Sequence, residues 1–325
     1  MQAEYSPVKI SRNFIEQHTE FKSLIDELAL AFAANDVIVP QRHHHDFPNE
    51  NGQHSSTMLL MPAWSPGLDA GVKVVTVSPG NSSYGLPSVQ GSYLYLDAQT
   101  GCKKADIEAS SLTAYRTAAA SALASSMLSD IQASTLLMVG TGRLAVPLIL
   151  AHKAVRNLQK VLVWGRNRQR ADQVVQQLQG EEFTIESVST LREALPMGDI
   201  VCTATLSAEP LLEGKYLRPG QHLDLVGAFR PQHRESDDDC ILRTKLFVDC
   251  RDNLHSSGEL AIPFSKGLIR SSDIMADLFE LCRGSQPGRN SSRQITLFKS
   301  VGHALEDLVA ARYYYRLYSL RSNKF

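Results

Sequence analysis

Apolar residues follow two different spacings along the chain. Between residues 21 and 34 they recur every three or four positions, which predicts an amphipathic helix. Further along, short apolar runs at 136–139, 160–165 and 199–205 are separated by stretches of helical spacing. Strands that alternate with helices at this interval predict a Rossmann-type, doubly wound parallel sheet in an α/β protein.

The chain before residue 117 has a different pattern. Apolar or alternating runs over residues 56–61, 68–78 and 91–97 predict strands. Residues 105–128 predict one long helix that is rich in Ala and Ser, small residues that allow close packing. Several strands ahead of the alternating part predict a mixed α+β region that is separate from the nucleotide-binding sheet.

Charge and composition exclude several classes of partner. The 325 residues carry a net charge of −1, so no basic field is present to attract nucleic acid or an anionic membrane. No apolar run approaches the roughly 20 residues that span a bilayer, and the N-terminus lacks the layout of a signal peptide. We therefore expect a small-molecule substrate and a cytoplasmic protein.

Cysteine and histidine patterns do not predict a metal site. The five cysteines are scattered and form no C-x-x-C pair, which fits a reducing compartment. Residues 37–52 include the run His43, His44 and His45. Neighbouring side chains of a regular element point apart, so three consecutive histidines favour a polar loop over a metal site.

A glycine pattern follows the strand predicted at 136–139. Gly140, Gly142 and Ala145 form G-x-G-x-x-A between this strand and an apolar helix. Such a turn binds a dinucleotide pyrophosphate, because its glycines bring backbone N–H groups close to the phosphates at the start of a helix. The predicted cofactor-binding residues of this turn are Gly140, Thr141, Gly142, Arg143, Leu144 and Ala145.

The end of the next predicted strand indicates which dinucleotide is bound. It carries Arg166, Asn167 and Arg168, where an NAD-specific site often has an acidic residue. Arginines suit a 2′-phosphate, so we expect NADP(H) to be preferred and NAD(H) to be the alternative; a merely solvated turn is the other interpretation. The strand at 199–205 ends in Thr203, Ala204 and Thr205, which we also assign to the cofactor.

Two cations stand in unusual surroundings upstream. Lys73 lies inside an apolar, β-branched strand, and Arg116 lies among alanines of the long helix. A buried cation is costly unless an anion is near, so both residues are candidates to bind an anionic ligand. A solvent-facing lysine on an edge strand and an exposed helix arginine are the alternatives.

The motifs together resemble the ornithine cyclodeaminase/μ-crystallin family over nearly the whole chain. The order and the spacing of the matching segments agree with those of the family. These segments are Pro40-Gln-Arg42, Gly71-Val-Lys-Val74, Tyr115-Arg-Thr-Ala-Ala119, Val139-Gly-Thr-Gly-Arg-Leu-Ala145 and Ser300-Val-Gly-His-Ala-Leu-Glu-Asp307. The resemblance implies a homodimer with residues 1–116 and 300–325 as the substrate and dimerisation domain, and residues 117–299 as the Rossmann NAD(P)-binding domain.

The resemblance also implies roles for individual residues. Arg42, Lys73 and Arg116 would hold the substrate's carboxylate, with Lys73 and Arg116 as the catalytic residues. Further assignments are Gly302 to the substrate and Val226, Gly227 and Val301 to the cofactor.

This chain departs from the pattern of the family's cyclodeaminases at two positions, and the departure indicates which of the family's activities it has. Ornithine cyclodeaminases have an acidic residue after the fifth Rossmann strand, where this chain has Phe229, and another where this chain has Leu59 and Leu60. The sequence therefore favours NADPH-dependent reduction of a cyclic imine carboxylate: Δ1-pyrroline-2-carboxylate to L-proline, with Δ1-piperideine-2-carboxylate to L-pipecolate as a second reaction. The alternatives are ornithine cyclodeaminase, alanine dehydrogenase and non-enzymic ligand binding as in μ-crystallin.

The proton donor is not defined by the sequence. Lys73 is the first candidate, because a desolvated lysine titrates closer to neutrality. Asp307 and His303 are further candidates. For Asp307 and its neighbour Glu306, the alternative is the ordinary preference for acidic residues in the first turn of a helix.

Overall fold

The computed structural model describes residues 6–48 and 55–322, which form two compact units. Among these residues, the first unit comprises 6–20, 34–48, 55–116 and 303–322, and the second comprises 21–33 and 117–302. Within the described ranges, no helix is both long and apolar enough to cross a bilayer.

The first unit contains a six-stranded mixed sheet. Its strands are β1 (Val8–Ile10), β2 (His43–Pro48), β3 (Ser55–Ser65), β4 (Asp69–Val77), β5 (Val89–Asp97) and β6 (Lys103–Glu108). They lie in the order β1-β6-β5-β4-β3-β2, with β1 parallel to β6 and all other neighbours antiparallel. Strand β4 therefore lies in the interior of the sheet, between β5 and β3, and is not an edge strand.

The second unit contains an eight-stranded, wholly parallel sheet. Its strands are β7 (Thr135–Val139), β8 (Lys160–Trp164), β9 (Thr184–Ser187), β10 (Ile200–Thr203), β11 (His222–Leu225), β12 (Lys245–Val248), β13 (Ile274–Asp277) and β14 (Thr296–Lys299). The order is β13-β12-β14-β11-β10-β7-β8-β9. The chain order reverses between β7 and β10, and ligands of doubly wound folds bind at the carboxyl ends of strands beside such a switch point.

The helices have the following bounds. They are α1 (Arg12–His18), α2 (Phe21–Ala34), α3 (Ala109–Leu128), α4 (Ala145–Lys153), α5 (Arg168–Gln177), α6 (Leu191–Ala194), α7 (Asp238–Leu242), α8 (Gly258–Ser265), α9 (Leu278–Cys282) and α10 (Ala304–Ser322). Helix α10 packs on β3, β4 and β5 within the first unit. Its Arg312 donates to both carboxylate oxygens of the buried Asp69 on β4, at 2.7 and 2.8 Å.

The α/β fold with one parallel and one mixed sheet confirms the predicted fold class. Two local predictions were wrong. The histidine run is an exposed edge strand, β2, rather than a loop, because its backbone pairs with β3 in the register His43↔Leu60. Its exposed side chains gave no apolar signal from which a strand could be predicted.

The predicted helix over 105–128 also begins too early. Residues 103–108 form β6, in which Ala105 and Ile107 point into the core at period two. The helix starts at Ala109, where the Glu108 carboxylate accepts hydrogen bonds from the amides of Ser110 and Ser111.

Helix α2 packs within the second compact unit, except for its last residue. The predicted domain bounds, which place residues 21–34 with the substrate domain, remain a prediction. Phe32 of α2 packs edge-on against Phe279 of α9, with the ring centroids 4.9 Å apart. This aromatic contact gives a physical reason for the helix's membership of the second unit.

Candidate functional site

In the first unit, two buried cations meet two buried carboxylates. Lys73 on β4 and Arg116 on α3 both bind Asp307 in the first turn of α10. The Lys73 Nζ lies 2.8 Å from Asp307 Oδ2, and the Arg116 Nε lies 2.8 Å from Asp307 Oδ1. Arg116 Nη1 also donates to Glu306 Oε2 at 2.5 Å. We call Lys73, Arg116, Glu306 and Asp307 the buried ion cluster.

The strand alternation explains why Lys73 faces inward. Asp69, Gly71 and Lys73 occupy the buried face of β4, and the Lys73 side chain is only 3 % exposed. Its neighbour across the sheet is Tyr93, which is fully buried and whose ring covers Gly71. A Cβ at Gly71 would lie 2.3 Å from the Tyr93 hydroxyl oxygen, so this position requires glycine.

Burial and neighbouring charges set the protonation states of the cluster. Burial lowers the pKa of Lys73 to about 8, and the Arg116 charge adds to this effect while Asp307 opposes it. Burial alone would raise the pKa of Asp307, but Arg116 and Lys73 together hold it below its usual range. The half-buried Arg42 also lowers the pKa of Lys73, so its charge acts on this cluster too.

In the second unit, the turn after β7 has the geometry of a dinucleotide-binding turn. Gly140 has φ +125°, and a Cβ there would lie 2.6 Å from the Ala204 carbonyl oxygen. Glycine is therefore required both for the backbone conformation and for space. A Cβ at Gly142 would meet no atom within 4 Å, so its backbone is open to a ligand at the start of α4.

A cavity of about 370 Å³ lies beside this turn. Its lining includes Arg166 and Arg170, which supply positive charge next to the ends of β7 and β8. The predicted cofactor residues that line it are Gly140, Thr141, Gly142, Arg166, Asn167, Ala204 and Thr205. The residues around this cavity thus fit a dinucleotide, with open glycine amides for the pyrophosphate and arginines for a further phosphate.

Other predicted residues lie elsewhere. Arg168 does not line the cavity, because its guanidinium donates to the Ser187 carbonyl oxygen and lies 3.7 Å from the Asp172 carboxylate. Arg170 lines the cavity where Arg168 was expected. Its place in the first turn of α5 is the feature from which this position could have been predicted. The remaining predicted cofactor residues outside the lining are Arg143, Leu144, Ala145, Thr203, Val226, Gly227 and Val301.

The turn that follows β14 is held by a buried carboxylate that the sequence analysis missed. Asp249 Oδ2 accepts hydrogen bonds of 2.7 Å from the backbone amides of both Val301 and Gly302. Gly302 itself has φ +85°, a backbone conformation that favours glycine. Asp249 follows β12 directly, so only the sheet topology brings it to this turn.

Within the described residues, one group of metal-binding side chains comes together. His152, Cys202 and Asp224 are buried in the second unit with their ligand atoms within 4.8 Å of one another. The Cys202 thiol donates to Asp224 Oδ2 at 3.0 Å, and burial raises the pKa of both groups. The buried Asp224 carboxyl also accepts from the Ser121 hydroxyl at 3.0 Å, so it has hydrogen-bond donors from the protein itself.

The parallel sheet, its switch point and the turn at Gly140 define the chain as an α/β protein with a Rossmann-type nucleotide-binding unit. The sequence profile of the ornithine cyclodeaminase/mu-crystallin family matches residues 8–320. The chain therefore belongs to this family, as its motifs predicted.

Similar proteins cover almost the full length of the chain. The Δ1-pyrroline-2-carboxylate reductase of Paracoccus denitrificans is 37% identical, over 87% of this chain and 92% of its own. The Thermococcus litoralis Δ1-pyrroline-2-carboxylate reductase, solved with NADH and L-proline, has a TM-score of 0.89 and is 33% identical over 97% of this chain and 98% of its own. An archaeal alanine dehydrogenase dimer with bound NAD has a TM-score of 0.88 and is 26% identical, over 98% of this chain and 97% of its own.

Replacing Gly140 with Ala tests the turn. We expect G140A to weaken NADPH and NADH binding by at least about tenfold, because its Cβ would displace the Ala204 backbone. The matched control is G180A, since Gly180 also has a positive φ (+99°) but has open space around its Cβ position. Fluorescence titration with each dinucleotide measures both variants. Equal losses of affinity in G140A and G180A would show that a side chain at positive φ, and not the contact between Gly140 and Ala204, causes the loss.

Proposed function

We propose that this protein is an NADPH-dependent reductase of cyclic imine carboxylates. Its main reaction would convert Δ1-pyrroline-2-carboxylate to L-proline, with Δ1-piperideine-2-carboxylate to L-pipecolate as a second reaction. The observation that carries this proposal is the buried ion cluster, a set of paired cations in a chain 33% identical to a reductase solved with NADH and L-proline. We expect a homodimer, by analogy with the dimeric alanine dehydrogenase.

The substrate's carboxylate would bind to Arg116, with Arg42 and Lys73 adding positive charge. Arg116 uses Nε for Asp307 and Nη1 for Glu306, which leaves Nη2 to reach a ligand. Asp307 and Glu306 also raise the pKa of Arg116, although burial opposes them, so the guanidinium keeps its charge. A planar, permanently charged donor suits a carboxylate.

Reduction requires one hydride and one proton. A bound NADPH supplies the hydride, which would add to the imine carbon and form the new C–H bond. The proton would come from Lys73 and form the N–H bond as the C=N π electrons move to nitrogen. With a pKa of about 8, Lys73 carries a proton at neutral pH and releases it more readily than an ordinary lysine. Asp307 is excluded as the donor because its lowered pKa keeps it ionised.

The position after β11 supports an imine reductase over a cyclodeaminase. Phe229 is 48% exposed there, and the Arg230 guanidinium lies 5.8 Å from the centre of its ring. Neither residue offers a carboxylate to a second amine, which a diamino acid substrate needs.

A substrate panel tests the proposed function. We expect NADPH oxidation with Δ1-pyrroline-2-carboxylate, a lower rate with Δ1-piperideine-2-carboxylate, and none with pyruvate plus ammonia. Ornithine, assayed for ammonia release in the presence of NAD⁺, should remain unchanged. Ammonia from ornithine would favour the cyclodeaminase, and cofactor binding without turnover of any imine would favour a binding protein.

The cofactor preference is tested by replacing the two arginines of the cavity. We expect R166A/R170A to weaken NADPH binding by at least about tenfold and NADH binding by much less, because only NADPH carries the 2′-phosphate. R168A is the matched control, since Arg168 faces Ser187 and Asp172. Dissociation constants for both dinucleotides provide the comparison. Equal weakening of NADH and NADPH would contradict a 2′-phosphate site.

The pH dependence tests Lys73 as the proton donor. Deprotonation of Lys73 removes both the donated proton and a positive charge, so kcat/KM for the imine should fall as the pH rises through about 8. K73R keeps the charge but does not titrate in this range, so it should be slower and lack this decline. NADPH binding, measured over the same pH range, is the control. A decline with an unchanged midpoint in K73R would assign it to another group.

A further inference from the structure

We propose that Glu235 is the positioning residue of the cofactor site. It is fully buried within the second unit, and its carboxylate accepts hydrogen bonds from two loops that follow neighbouring strands. The inference rests on the proposed function only in that the bound group is a nicotinamide dinucleotide. Glu235 itself does not line the cavity, so it would act through the loops that it holds.

The first of these loops follows β10. Glu235 accepts from the Thr203 hydroxyl at 2.7 Å, from the Thr205 amide at 2.7 Å and from the Thr205 hydroxyl at 2.8 Å. Thr205 and its neighbour Ala204 line the cavity. The carboxylate thus fixes both the backbone and the side chain of a residue at the cavity wall.

The second loop follows β11. The amides of Gly227 and Ala228 donate to Glu235 Oε2 at 2.7 and 3.3 Å. A Cβ at Gly227 would lie 2.1 Å from the Thr205 carbonyl oxygen, so the two loops are in direct contact and glycine is required between them. Glu235 therefore joins the two strand ends that lie on one side of the switch point.

The loop after β10 also contacts the glycine turn. A Cβ at Gly140 would lie 2.6 Å from the Ala204 carbonyl oxygen, so a displacement of this loop would reach the turn that binds the pyrophosphate. The adenosine half of a dinucleotide extends from that turn toward β8, where Arg166 and Arg170 lie. The nicotinamide half extends the other way, toward β10 and β11. Glu235 would thus support the nicotinamide half.

A second buried carboxylate holds Glu235 in turn. Glu259, in the first turn of α8, accepts from the Glu235 amide at 2.7 Å and from the amide and hydroxyl of Ser236. The buried Lys299 ammonium lies near both carboxylates and donates to the Leu225 carbonyl oxygen at 3.0 Å. The backbone and the carboxylate of Glu235 are therefore both fixed, as expected of a residue that positions others.

The test is to replace Glu235 with Gln. An amide nitrogen donates hydrogen bonds and cannot accept them. In E235Q this nitrogen would therefore face the N–H or O–H donors of one of the two loops, and the hydrogen bonds to that loop would be lost. We expect the dissociation constants of NADPH and NADH to rise by at least about tenfold, and that of 2′,5′-ADP, the adenosine half alone, to stay within about twofold. E235D, which keeps the charge but is shorter, should give a smaller loss. E209Q is the matched control, because Glu209 is an exposed residue of the same region.

Calorimetric titration without any substrate gives these constants, and thermal unfolding checks that each variant is folded. The proposal is overturned if E235Q binds NADPH as tightly as the unaltered protein, or if it loses 2′,5′-ADP and NADPH equally. Unfolding of both E235Q and E235D beside a folded E209Q would give Glu235 a role in folding alone and would also overturn it. Failure of the unaltered protein to bind either dinucleotide would reject the proposed function as well. Normal binding without imine turnover would reject only that function.

Discussion

The first unit depends on the ion pair between Lys73 and Asp307, because the Lys73 ammonium could not be buried without a negative partner. The two residues are 234 positions apart in the chain and are joined at 2.8 Å, with side-chain exposures of 3% and 0%. Removing Asp307 would leave the buried Lys73 ammonium without an ion-pair partner, at a cost of about 3 to 5 kcal/mol. The contact between β4 and α10 and the placement of the cations are therefore one and the same interaction.

The second unit uses buried carboxylates in a similar way. Glu235 holds the loops after β10 and β11, and Asp249 holds the turn after β14 through the Val301 and Gly302 amides. Loop amides at the end of a parallel sheet have no strand partner, and a carboxylate that accepts several of them at once satisfies this need. The loops that carry predicted cofactor-binding residues are thus fixed by groups outside the cavity.

The sequence predicted the parts of the site whose signal is local. The glycine turn lies between its own strand and helix, and Lys73 and Arg116 were noticeable because cations are rare among apolar and small residues. Asp307 gave no such signal, since acidic residues in the first turn of a helix have an ordinary explanation in the helix dipole. Glu235 gave none either, because it lies in a polar segment among other acidic residues. The partners of Asp307 and Glu235 come from distant segments, so only the folded topology identifies them. The strand β6 was missed because only two of its residues, Ala105 and Ile107, are apolar and face inward. The pattern of the long helix that follows is much stronger, so these residues were assigned to the helix.

The Asp307 carboxylate, which Lys73 and Arg116 share, also separates the roles of these two cations in the proposed reaction. Arg116 and Lys73 bind the same Asp307, but the guanidinium stays charged whereas the ammonium has a pKa of about 8. A substrate carboxylate placed on Lys73 would raise that pKa and hinder proton release. In the proposed reaction we therefore assign carboxylate binding mainly to Arg116 and proton donation to Lys73. Asp307 keeps both cations buried and, by staying ionised, leaves the transferable proton on the lysine.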